Sequence, residues 1–282
     1  MAGRFANSMD LLKSSWAVLR SDKELTVIPV INTAISAVIA VGVGAGAYLT
    51  INRTWDVRTG TYEYTAGPIT YVVGILGYFL LTLVVTFFTG ALVAGAHQRL
   101  TGGDPTLGSS FGAAARRFPQ LLGWALLSGT VGYLLRLLRE RLGFVGLLLG
   151  GVLQFAWEVI TWLAVPAIIV EGNGPITTLK TSARLLRSTW GENLIGQFGF
   201  GLVGFLAILP GLAIGGLVTM AAPLVGIPLL VLWVVVVSVV ITTLTGIYRT
   251  ALYLYATTGR APAGFDQQVM ASAFRPKSGM FR

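Results

Sequence analysis

The chain has no cysteine, a single histidine and only 11 acidic residues in 282. Without cysteine there is no disulfide, no thiol nucleophile and no thiolate metal site. His97 stands alone, and no cluster of His, Asp and Glu offers the several ligands a metal needs. A P-loop motif is also missing, so the chain does not drive itself with nucleotide through that device. Charge of both signs is scarce, at 11% of residues against about 25% in an average soluble domain. So few charges cannot cover a water-facing surface.

What is present is apolar: 54% hydrophobic residues and a mean hydropathy of +0.76. The apolar residues form six runs, near 25–51, 69–97, 119–135, 142–170, 193–220 and 224–257. A helix needs about 20 such residues to cross a bilayer. The alternation of a barrel wall is missing, which favours helices. The expected fold is all-α and polytopic, with one transmembrane domain (1–257) and a polar tail (258–282). The first 22 residues are amphipathic and charged, unlike a signal peptide.

The net charge of +9 does not indicate nucleic acid, because the basic residues rim the apolar runs. Anionic lipid headgroups are the better partner. With both termini cytoplasmic, 15 Lys and Arg fall inside and 5 outside, which is the expected bias in a plasma membrane. The awkward segment is RLLRER (136–141), an outside loop on this reading, whose three arginines snorkel to the surface unless the third and fourth runs form a re-entrant or tilted hairpin.

A short peptide occurs twice, as LLKSSW (11–16) and LLRSTW (185–190), each time just before an apolar run. On a helix, Phe5, Met9, Leu12, Trp16 and Leu19 share one face, with Lys13 and Arg20 off it. In the second copy Ile176, Leu179, Ala183, Leu186 and Trp190 share a face, opposite Lys180, Arg184 and Arg187. Such a helix lies in the membrane interface, and Trp prefers that depth. A third element, DPTLGSSFGAAARRF (104–118), matches in pattern only. Asp104 reads as its N-cap and Pro105 as its first helical residue, with Arg116 and Arg117 beside its polar side. The expected layout is three units, each an interfacial elbow helix followed by a transmembrane hairpin, over about 5–97, 104–170 and 175–257.

The stretches SSWAVLRSDKELTVIPV (14–30) and VPAIIVEGNGPITTLKTSARLLRSTWGENLIG (165–196) resemble two signature regions of a family of uncharacterised six-span membrane proteins. That family is common in actinobacteria and occurs in archaea. The resemblance implies a bacterial plasma membrane. It brings no reaction, ligand or catalytic residue.

Within the spans, Gln154, Glu158 and Thr161 form one polar stripe, and Ser238, Thr242, Thr245 and Arg249 form another. These stripes are expected to meet inside the bundle, with Arg249 near the inner surface and Arg136 near the outer one. Three roles stay open for Glu158: a protonated helix–helix contact, a proton or ion relay, or a contact with a partner's helix. The G-x-x-x-G pairs Gly42/Gly46, Gly146/Gly150 and Gly211/Gly215 let helices approach closely, with Pro210 kinking the fifth span. GSSFG (108–112) matches G-x-S-x-G around Ser110, but it lies in an elbow helix and the sole histidine precedes it. In the tail, Phe265, Val269, Met270 and Phe274 could anchor a short helix to the membrane or a partner. The sequence therefore points to a non-catalytic subunit that steadies a larger membrane assembly, one moving lipid or envelope material. It needs no cofactor, and its partners are lipids and other membrane subunits. A carrier using a Glu158 pathway is the alternative.

Overall fold

A bilayer offers backbone groups no partner, so long apolar runs satisfy their own hydrogen bonds by coiling. The computed structural model describes residues 2–189 and 195–273. Six of its helices are long and apolar enough to cross a membrane. The elements are α1 (Ala2–Ser21), α2 (Glu24–Thr50), β1 (Asn52–Asp56), β2 (Thr61–Thr65), α3 (Pro68–Leu100), α4 (Leu107–Arg116), α5 (Phe118–Arg141), α6 (Gly143–Ile160), α7 (Ala164–Glu171), α8 (Pro175–Thr189), α9 (Ile195–Ala221), α10 (Pro223–Thr258) and α11 (Gln267–Ala273). The fold is all-α and polytopic. A two-stranded antiparallel hairpin, with Trp55 opposite Tyr62, caps the turn between α2 and α3.

Three details depart from the sequence reading. The segment 136–141 is not a loop but the last turns of α5, where Arg136 and Glu140 pair at 2.8 Å one helical turn apart. The fourth run is two helices, α6 and α7, broken at 161–163. Pro166 explains the break, because it lacks the N–H that would bond to residue 162 and its ring crowds that carbonyl. The elbow after α3 begins at Leu107, not Pro105. Thr106 is its N-cap, in a reciprocal capping box with Ser109, while Asp104 lies 3.7 Å from Arg99.

The short helices α1, α4 and α8 each precede a pair of spans, and they lie at one end of the bundle, called here the elbow end. The largest fully buried side chains gather at this end, among them Leu25, Ile28, Val93, Leu121, Ile168, Ile247, Tyr248 and Tyr253. Beyond them most large apolar side chains face outward, such as Val41, Leu76, Leu217 and Val231. Contacts there use glycine, both within hairpins and between α3 and α5, where the Tyr78 hydroxyl donates to the Gly129 carbonyl at 3.1 Å. A Cβ on Gly46 would touch Val73, and one on Gly77 would meet Val43. The tail folds back, so that α11 packs on α1 with Phe265 and Met270 buried; Phe274 lies outside the described residues. Both described ends of the chain are therefore on the elbow side.

Candidate functional site

The elbow helices carry the first set of expected site residues. In α1 the buried face is Leu11, Ser15, Val18 and Leu19, packed on α10 and α11, whereas Met9 and Trp16 point outward. The expected single stripe is thus split: one face seats on the bundle and the next is exposed. Arg20 lies 5.8 Å over the Trp16 ring, and Lys13 pairs with Asp10 at 3.6 Å on the surface. In α8 the buried face is small and hydroxylated, made of Thr178, Thr181 and Ser182, while Ile176 is exposed. Lys180, Arg184 and Arg116 are exposed. Arg117 is half-buried, and its guanidinium covers Gly172 at the C-terminus of α7, where a helix end favours a cation. Gly172 has φ +74°, which a side chain would strain as well as obstruct. Trp190 and the Arg187 side chain lie outside the described residues.

Several polar residues tie these units together. The Glu24 carboxylate accepts the Leu107 N–H at 3.2 Å, so the first unit caps the elbow of the second. Tyr253 and Asn173 both donate to Glu171. Asp22 is buried at the α1–α2 turn, with one carboxylate oxygen lacking a partner. Burial pushes its carboxyl above the usual range, and Arg99 offsets this only in part. Ser110 is buried in α4 against Gly95, packed as a close helix contact.

The two intramembrane stripes do not come together. Gln154 and Glu158 lie on α6, which packs chiefly on α5, and they face outward with Gln154 Nε2 donating to Glu158 Oε1 at 2.8 Å. Thr161 sits at the helix break and donates to the Trp157 carbonyl at 2.7 Å. The α10 stripe instead faces α2 and α3. Thr242, Thr245 and Arg249 line a cleft of about 210 Å³ with Asn32, Phe88 and Thr89. Ser238 is exposed further along α10. Arg249 lies 4.0 Å from the Trp162 ring, its Nε is sealed from solvent without a hydrogen-bond partner, and no carboxylate pairs with it among the described residues.

The glycine pairs resolve differently. Gly42 borders open space. Gly146 and Gly150 abut the end of α5, at Leu142 and Arg139. A Cβ on Gly211 would run into the Trp233 indole, and one on Gly215 would meet Leu230. These contacts close hairpins rather than join separate units. Trp233 Nε1 donates to the Ala207 carbonyl at 3.1 Å, beside the Pro210 kink.

Two contributors escaped the sequence reading. Trp162 looks like one more apolar residue until the α6–α7 break aims it at Arg249, and Pro166 is the signal for that break. Asn32 stands beside Thr33 in a mostly apolar run and accepts from the Ser36 hydroxyl at 3.4 Å, and only its depth marks it.

Taken together, these features define a multi-pass membrane protein with three hairpins gathered at an elbow end. The chain belongs to a family of unknown function, DUF6159, whose model matches residues 68–265. That stretch includes the second resembling region and excludes the first. The chain is similar to Uncharacterized protein Mb2590 of Mycobacterium bovis and Uncharacterized protein Rv2560 of Mycobacterium tuberculosis, at 24% identity over 227 residues in each case. The similarity covers 78% of this chain and 63% of the length of those relatives.

Proposed function

We propose that this protein is a non-catalytic subunit of a larger membrane assembly, docked to its partner through the outward face of α6. The observation that carries the reading is Glu158. It lies 15 residues, about 22 Å, from the start of α6 at the far turn, and so inside the hydrocarbon on the elbow side of its middle. An unpaired carboxylate inside the hydrocarbon costs up to about 3 kcal/mol on insertion scales. Gln154 supplies one donor, and the remaining acceptor positions face outward. A partner helix with a donor or cation at the same level would satisfy them.

The surrounding face suits a helix. Leu148, Val152 and Phe155 are exposed on it, and a Cβ on Gly151 would meet nothing. The charge bias favours a cytoplasmic elbow end, and the mycobacterial relatives favour a bacterial plasma membrane. Within that setting an assembly moving lipid or envelope material is the class we favour, because its partners share the lipid surface that the basic elbows rim.

The test is a photo-crosslinking residue at Val152, followed by purification from native membranes in mild detergent. A stoichiometric foreign membrane protein, lost with Glu158→Leu, is the expected result. A lone monomer without crosslinks, or capture only of a second copy of this chain, would overturn the subunit reading.

A further inference from the structure

The cleft between α2, α3 and α10 sits at a definite depth. At 1.5 Å per residue α3 is about 50 Å long and α10 about 54 Å, against roughly 30 Å of hydrocarbon. Both must leave the hydrocarbon well before the elbow end. Counting about 20 residues from the far turns reaches about residue 30 on α2, 88 on α3 and 243 on α10. All three counts end at the cleft, whose lining includes Pro29, Asn32, Phe88, Thr89 and Thr242. The charges agree with the count, since Arg249 is the first charged residue of α10. The cleft therefore opens where acyl chains meet headgroups.

Its chemistry is that of an anion site. Arg249 has no carboxylate partner among the described residues, and the Trp162 ring at 4.0 Å attracts the cation without neutralising it. Nearby threonines spend their hydroxyls on their own helix. Thr89 bonds Val85, Thr243 bonds Val239 and Thr250 bonds Gly246, at 2.7–2.8 Å. Among the described residues Thr242 and Thr245 make no such bond, and both line the cleft. About 210 Å³ equals the volume of roughly seven waters, enough for a phosphate group.

We propose that this cleft binds the phosphate of an anionic phospholipid, with Arg249 gripping two phosphate oxygens and Thr242, Thr245 and Asn32 donating to the rest. The acyl chains leave along the flank of α10 on which Ser238 is exposed. A guanidinium suits this task because its planar fork matches phosphate oxygens in pairs. The inference stands apart from partner docking at α6, which uses another face.

The test is native mass spectrometry and thermal stability of the delipidated full chain. It is titrated separately with phosphatidylglycerol, with diacylglycerol and with inorganic phosphate. One phosphatidylglycerol retained per chain, with a raised thermal midpoint, is expected, and diacylglycerol should do neither. Arg249→Gln should weaken retention by about tenfold or more, because a charged hydrogen-bonded contact is lost. Arg249→Lys should fall between, and Lys13→Gln on the elbow should change nothing. Should Arg249→Gln fail to fold, the double variant Thr242→Val with Thr245→Val decides, since neither hydroxyl has a structural partner. Retention unchanged in Arg249→Gln or in that double variant would overturn the site. Protection by inorganic phosphate equal to that by the lipid would overturn the lipid as its source.

Discussion

Ser182 holds Leu163 in place: the hydroxyl accepts the Leu163 N–H at 3.2 Å and donates to the Ile160 carbonyl at 2.5 Å. One side chain from an elbow helix thus satisfies two of the backbone groups freed where the fourth span breaks. A broken helix inside a membrane survives only where such partners exist. It also explains why the face of α8 turned to the bundle is hydroxylated rather than greasy.

Ser182→Ala should therefore cost about 1–3 kcal/mol, since it strands a buried donor and a buried acceptor. The thermal midpoint in detergent measures the loss, and faster hydrogen exchange at residues 160–164 locates it. An unchanged midpoint and unchanged exchange would show that the break needs no bridge.

Asp22 gives the pH dependence of the elbow end. Burial raises its carboxyl above the ordinary value in the folded chain. The folded state then holds the proton more tightly than the unfolded state. This favourable contribution is full below the ordinary carboxylate range and is lost as pH climbs through the raised value. Asp22→Asn should accordingly raise the thermal midpoint at neutral pH and lose that advantage near pH 3. A variant less stable than wild type at neutral pH would mean that Arg99 and the local backbone outweigh desolvation.

The α9–α10 hairpin depends on a missing side chain. Gly211→Ala should destabilise it by about 1–3 kcal/mol, because the new methyl meets the Trp233 ring. Gly211→Ala combined with Trp233→Leu should recover part of the loss, less the hydrogen bond to Ala207. A double-mutant cycle on thermal stability reads the coupling directly, and strict additivity would count against the contact.

Much of the architecture is legible in the sequence because its signals are local. A run of about 20 apolar residues is long enough to span whatever its neighbours do. The short basic helices show in spacing alone, as Lys180, Arg184 and Ile176 illustrate. The azimuth of each helix is different in kind. Periodicity puts Gln154 and Glu158 on one face, and Thr242, Thr245 and Arg249 on another, but it cannot say what each face meets. The stripes were expected to join; packing turned one outward and gave the other to α2 and α3. Local rivals also decide details. At the start of α4, Thr106 and Ser109 cap each other, and Asp104 turns to Arg99 instead. Pro166 carries the signal of the break in the fourth span, but hydropathy registers greasiness and not the loss of one N–H.

The crowding of bulky buried residues at the elbow end makes a hub, and the outer parts of the hairpins are its legs, with their large apolar side chains exposed. A leucine exposed along those legs answers to its surroundings rather than to a fitted socket. Drift in sequence should accumulate along the legs and stall at the hub, and a change in bilayer thickness should lean the legs while the hub keeps its shape.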